Sequence, residues 1–477
     1  MQTIHNTRPQ IFITYSFIIV FLVSGCKKFV EVDPPVVSVT KENVFKTKET
    51  AVATVTGLYT YLSNTFTPFT GKMGISMLGG LLSDELTLNS SVTDTKLNAY
   101  FRNNLLVSNG ADGWEPCYTF LFWTNSVIEG LQEEKALQSS VKSELIGEAK
   151  FLRAFVNFHL TNTYGAIPIV LTTDYKVNST LSRSNISDVY AQCIKDLTEA
   201  KSLLSENYLD LNLLPYSSAA RRVRVNKWAA SALLSRIYLY NKQYSEAENE
   251  ASLVISASQT FSLAPLKDVF LATSTEAIWQ LQPTAAGWNT EDARVFVING
   301  SPNNSRPIRL STYLLSSFEP GDQRISNWTK DTTIGAVKYT YPFKYKIATQ
   351  NKPVDEYLTV LRLGEIYLVR SEARAQQDKI ALANSDLNTI RNRSGLASKS
   401  YTDKGSLLDA IFQERRVELF TEFGHRWFDL KRADKANAVM STITPLKGGT
   451  WTTSDQLLPL PLNDILRNPN ITQNPGY

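Results

Sequence analysis

The chain has 477 residues, of which 43% are hydrophobic and 20% charged, and its 22 glycines and 19 prolines exclude collagen-like and broadly low-complexity classes. Lys and Arg number 49 against 45 Asp and Glu, and the resulting charge of +4 is too even for a nucleic-acid-binding footprint. Three cysteines, Cys26, Cys117 and Cys193, do not signal an even-numbered disulfide framework.

The chain opens on an address. Ile11 to Val23 form an apolar run, preceded by Arg8 and by no acid. This is the basic n-region and apolar h-region of a secretory signal. The run is too short to span a bilayer as a helix, which needs about 20 residues. Val23-Ser24-Gly25 then place small residues before Cys26, which opens a scissile bond to a peptidase and a thiol to a lipid. The segment resembles a bacterial lipoprotein signal at residues 1–25, cleaved so that Cys26 becomes the acylated N-terminus. Residues 26–45, with Pro34-Pro35, read as an extended tether. No later apolar stretch is long enough to cross a membrane, so the reading is a body held by lipid alone.

Helical periodicity marks segments near 48–63, 114–133, 139–163, 186–206, 225–241 and 244–257. The helix at 139–163 should stop at Tyr164-Gly165-Ala166-Ile167-Pro168. In 225–257, Tyr238, Tyr244, Ala247 and Ala251 follow a tetratricopeptide-like pattern, with small residues that let two helices approach. Further helices are expected at 357–377, 380–394 and 405–423, the last one studded with Glu414, Glu418, Glu422, Arg415 and Arg416. These charges, with Arg426 and Arg432, are expected to form buried or half-buried ion pairs that lock this helix to its neighbours.

Two stretches interrupt the pattern. Residues 64–111 read as long loops with short helices, and 258–350 as an irregular insertion with strand-like runs at Ala277–Leu281, Arg294–Ile298 and Lys338–Tyr341. A rigid scaffold commonly carries its binding loops in such places. Within them, Trp288, Trp328, Tyr339 and Tyr341 are candidates for stacking on the apolar face of a sugar ring. Asp84, Asn89 and Asn103 are candidates for bonding its hydroxyls. Trp228 and Trp279 are assigned to packing. No catalytic constellation appears: His159 and His425 read as structural, no G-x-S-x-G or P-loop is present, and no His/Cys spacing suggests zinc. The expectation is a non-enzyme without cofactor or metal.

Several segments, taken in order, resemble the SusD-like (RagB/SusD) outer-membrane lipoproteins of Bacteroidetes. They are Cys26 to Pro35, Glu148 to Pro168, Leu361 to Ala373, Glu414 to Arg432, and the ending from Leu458 to Tyr477. The resemblance implies a mostly α fold: tetratricopeptide-like repeats forming one body over 46–477, with long irregular loop insertions and a few short strands. It implies a surface lipoprotein that binds a nutrient, an oligosaccharide or polysaccharide, and delivers it to a SusC-like TonB-dependent transporter. It implies an outer-membrane location facing the cell exterior. Ligand-contacting residues vary within the family and follow no fixed motif. Two alternatives stay open: a peptide receptor of the same architecture, and a helical-repeat scaffold for protein assembly.

Overall fold

Amphipathic helices of this length bury one face by stacking on their neighbours, and the body follows that rule. A computed structural model describes residues 44–64 and 67–477. The signal segment and Cys26, and the tether up to residue 43, lie outside the described residues.

Eight helices stack in succession as antiparallel neighbours. After α1 (Lys48–Leu62), α2 (Ile75–Leu82) and α3 (Thr95–Phe101) come α4 (Trp114–Glu133), α5 (Ser139–Tyr164), α6 (Ile186–Leu203), α7 (Lys227–Tyr240) and α8 (Tyr244–Ser256). The stack continues through α9 (Leu363–Gln376), α10 (Ile380–Arg393) and α11 (Lys404–Glu418). α8 packs on α9 although residues 257–362 lie between them, so the insertion loops out without breaking the stack. This is the tetratricopeptide-like body expected from the sequence. α12 (His425–Arg432) and α13 (Ala436–Leu446) close its end. No helix among the described residues is long and apolar enough to cross a membrane.

Local signals behave as the sequence suggests. Gly165 ends α5 at φ +78°, a conformation that costs glycine nothing. The Asn226 side chain caps α7 by accepting from the amides of Trp228 and Ala229, both at 3.1 Å. Ala247 and Ala251 are fully buried, as the close approach of α7 and α8 requires. Buried ion pairs then tie helix to helix. Arg153 on α5 donates to Asp196 on α6 at 2.6 and 2.9 Å, and Arg236 on α7 donates to Glu365 on α9 at 2.6 Å.

The structure corrects three boundaries. The segment expected as helix from 357 begins as strand β6 (Leu358–Arg362), buried along its whole length and paired antiparallel with β2 (Ala277–Leu281). Arg294–Ile298 is no strand. It lies largely in a short helix, Glu291–Phe296, whose N-terminus is capped by Thr290 accepting from the Ala293 amide at 3.1 Å. The charged helix stops at Glu418 rather than 423, because Thr421 and Phe423 take positive φ and Gly424 follows at +70°.

The two irregular stretches meet. β1 (Leu86–Leu88), from the first, pairs antiparallel with β3 (Ile308–Leu310), from the second, with Leu86 opposite Leu310. β4 (Thr329–Ile334) and β5 (Val337–Pro342) form a hairpin closed by Gly335-Ala336, with Gly335 at φ +62°. β5 packs beside β3. Segments more than two hundred positions apart in sequence thus share one face.

Candidate ligand-binding groove

That face carries two adjoining hollows of about 540 and 450 Å³, which share Phe101 and Arg309 in their walls. β1 and the residues after it form one side, and β3 with Thr312 and Tyr313 the floor. The β4–β5 hairpin supplies Val337, Lys338, Tyr339 and Thr340, and Leu446 and Lys447 close the end. Rings, hydroxyls and bases line the groove together, a composition suited to a polar ligand with apolar faces.

Three sequence candidates reach it. Tyr339 is half-buried on β5 and lines the outer hollow, with the Arg309 guanidinium 6.0 Å from its ring centre. Asn89 lines the same hollow, and neither its amide nitrogen nor its amide oxygen has a hydrogen-bond partner although both are buried. Buried amides are normally satisfied, so this one stands out as a polar group with unused bonding capacity beside the hollow. Asp84 lines the inner hollow, but its carboxylate is already engaged. It accepts from Arg426 at 2.7 and 2.9 Å and from Arg416 at 2.7 Å. Burial alone would raise the Asp84 carboxyl; the two guanidiniums outweigh it and hold the group below the usual range. Asp84 therefore anchors the groove to α11 and α12 and is not a free hydroxyl partner. Its neighbour Glu85 is pushed up to about 8 by burial and by the Asp84 charge, and accepts from the Thr421 amide at 3.1 Å.

The other candidates are placed elsewhere. Trp328 is fully buried (0% exposed), and its indole N–H donates to the Leu266 carbonyl at 2.8 Å. Phe270 meets its ring edge-on, and Lys344, Arg362 and Arg393 lie over it. It is the aromatic centre of a buried ionic cluster, with no face for a sugar. Tyr341 is also buried, at 3% exposure, with Phe343 edge-on at 6.1 Å. It shares the parity of Tyr339, but the base of the hairpin is covered where its tip is not. Asn103 spends both ends of its amide on the frame. It donates to the Leu82 carbonyl at 2.9 Å and accepts from the Thr444 hydroxyl at 2.9 Å. Trp288 is half-buried outside both hollows, beneath the Arg294 guanidinium at 4.3 Å.

Sequence reasoning missed Arg309, Tyr313, Lys338, Thr340, Arg102 and Lys447. Lys447 donates to the Leu81 carbonyl at 2.7 Å and to that of Ser83, so it caps the end of α2. Burial pushes its ammonium down to about 7. Nothing local in the sequence distinguishes these residues from surface polar ones.

A separate pocket of about 210 Å³ is lined by Phe69, Met73, Tyr100, His159, Tyr164 and Trp427 among others. His159 there bonds the Phe155 carbonyl at 2.8 Å, and burial pushes it down to about 3. It is a packed, neutral histidine. His425 is likewise buried, and desolvation with the nearby Arg236 holds it well below its ordinary value. Trp279 is fully buried, as assigned; Trp228 is half-buried against Phe261.

Comparison with known proteins gives a consistent picture. Residues 288–477 match the SusD family, and residues 71–239 match a SusD-like family described as starch-binding and associating with the outer membrane. The SusD-like proteins P25 and P2 of Formosa agariphila are 22% and 25% identical, over 98% of this chain and 99% of each relative. A SusD superfamily structure from Bacteroides vulgatus superposes with a TM-score of 0.77 at 20% identity, covering 91% of this chain and all of that one. A laminarin-binding SusD-like protein gives 0.73 at 22% identity, covering 90% and 99%. The surface glycan-binding protein A of Bacteroides uniformis gives 0.76 at 17%, with the same coverage. With two SusD-type matches in sequence order on a shared helical body, this chain belongs to the SusD-like family.

Proposed function

We propose that this protein is a cell-surface lipoprotein that binds a glycan in the groove between the β1–β3 pair and the β4–β5 hairpin. It hands that glycan to a SusC-like TonB-dependent transporter. Cys26 is the acylated residue, the segment after it the tether, and the body faces the cell exterior. The observation that carries the reading is the pairing, in one hollow, of the half-buried Tyr339 ring with the unpartnered Asn89 amide. A ring stacks on the C–H face of a sugar while an amide takes its hydroxyls, so both halves of saccharide recognition are present. The names of the laminarin-binding and surface glycan-binding relatives support the same ligand class.

The role is binding without catalysis. The one carboxylate lining the groove among the described residues, Asp84, is held by two guanidiniums, and glycoside cleavage needs two carboxyl groups flanking the scissile bond. The test is affinity electrophoresis against a polysaccharide panel with wild type, Tyr339→Ala and Asn89→Ala. Retardation of wild type by at least one glycan, lost in Tyr339→Ala, is the expected result. Capture of peptides with no glycan retained would overturn it.

A further inference from the structure

The charge of the groove narrows its ligand. This step rests on the glycan reading above. Many buried guanidiniums of the frame meet carboxylates: Arg324, Arg362, Arg391, Arg415 and Arg426 each lie within 3.0 Å of at least one acid. Arg102 and Arg309 differ from these. Both line the groove, and neither has a carboxylate in ion-pair contact among the described residues. Lys338 does have a partner, Asp331 at 2.8 Å, but both side chains are more than half exposed, and such a pair is worth little. Lys447 also lines the wall, but its ammonium is spent on the Leu81 and Ser83 carbonyls and adds little charge. Against these stands Asp84, whose charge is already answered by Arg416 and Arg426.

A concave wall with unanswered positive charge focuses potential on whatever enters it. Guanidinium also matches planar or tetrahedral oxyanions with paired hydrogen bonds. The Arg309 guanidinium lies over the Tyr339 ring, 6.0 Å from its centre, so a sugar that meets that ring has its substituents within reach of the guanidinium. We propose that the groove takes an anionic glycan, with uronate carboxylates or sulfate esters held by Arg309 and Arg102.

The test is calorimetric titration and affinity electrophoresis with polygalacturonate and alginate (carboxylate), chondroitin sulfate and carrageenan (sulfate), and laminarin and dextran (neutral). Wild type is compared with Arg309→Gln, Arg102→Gln and the charge-keeping Arg309→Lys, each checked for an unchanged melting temperature. The expected result is binding of at least one acidic glycan that weakens about tenfold or more in Arg309→Gln, the scale of one charge-assisted contact. Arg309→Lys should restore part of it. Binding should also fall as salt rises from about 50 to about 500 mM. The carboxylate and sulfate arms separate the two sources of charge. Tight binding of a neutral glycan, unaffected by either Arg→Gln change, overturns the inference while leaving glycan capture intact. Binding of no glycan, acidic or neutral, overturns both.

Discussion

Arg362 and Glu418 meet at 2.6 Å with almost no exposure of either side chain, at the centre of a buried ionic cluster. Arg362 also donates to Glu422 at 2.7 Å and to Glu276 at 2.9 Å. Glu418 also accepts from Arg324 at 2.9 Å and from Arg393. Burial would raise the Glu418 carboxyl, but Arg393, Arg362 and Arg324 together hold it well below the carboxylate range. One carboxylate thus touches three guanidiniums. Removing one partner of a buried pair leaves charge uncompensated, at about 3–5 kcal/mol. Glu418→Gln should lower unfolding free energy by that order in urea titration, and a midpoint equal to wild type would refute the cluster's role.

Trp328 and Tyr339 should separate stability from binding. Trp328→Ala removes a ring sealed inside the cluster and should cost about 3–5 kcal/mol of stability. Tyr339→Ala, on an exposed hairpin, should stay within about 0.5 kcal/mol of wild type while losing glycan. Thermal melts and affinity electrophoresis on both variants measure the contrast directly.

His159 sets part of the acid limit. It is neutral in the fold, with its pKa pushed down to about 3, and takes a proton near pH 6.5 once unfolded. The unfolded state therefore binds more protons between those values, and stability falls as pH drops from about 6.5 toward 3, by up to about 1.4 kcal/mol per pH unit. His159→Gln should flatten the melting temperature over that window. An unchanged slope would show that the histidine does not contribute.

Cys117 and Cys193 are both free and buried, and burial pushes both thiols up. In a soluble form lacking Cys26, neither should react with a thiol reagent until denaturant is added, when both should. Fast labelling of the native protein would contradict their placement.

Gly79 touches the end-closing helix. A Cβ there would sit 2.9 Å from the Gly424 Cα, and Gly424 is itself at φ +70°. Gly79→Ala should therefore destabilise by about 1–3 kcal/mol, read by denaturant melts, although alanine favours helix.

Most of the frame was legible because helices announce themselves by period and punctuation. α4, α5 and α8 begin at the positions that the apolar spacing and the turn residues predict. The ion-pair role of Glu414, Glu418 and Glu422 was readable from their spacing of four. The groove was less so. Trp328 and Tyr339 look alike in sequence, each an aromatic in an irregular insertion. Their fates depend on which distant segments cover them: Leu266 and Phe270 seal the first. Asp84 and Asn103 were sought as ligand contacts because they are polar and sit in loops. In the fold, partners more than three hundred residues away consume them. Arg309 matters through a missing acid, and a missing partner leaves no local mark.

The division between frame and groove carries an evolutionary consequence. Arg309 and Tyr339 join no buried ion pair, so replacing them leaves the Arg362–Glu418 cluster and the Asp84 anchor untouched. New ligand preferences can then be sampled at small folding cost, while a substitution inside the cluster costs stability. Structures at 17–22% identity that superpose with TM-scores of 0.73 to 0.77 share this fold.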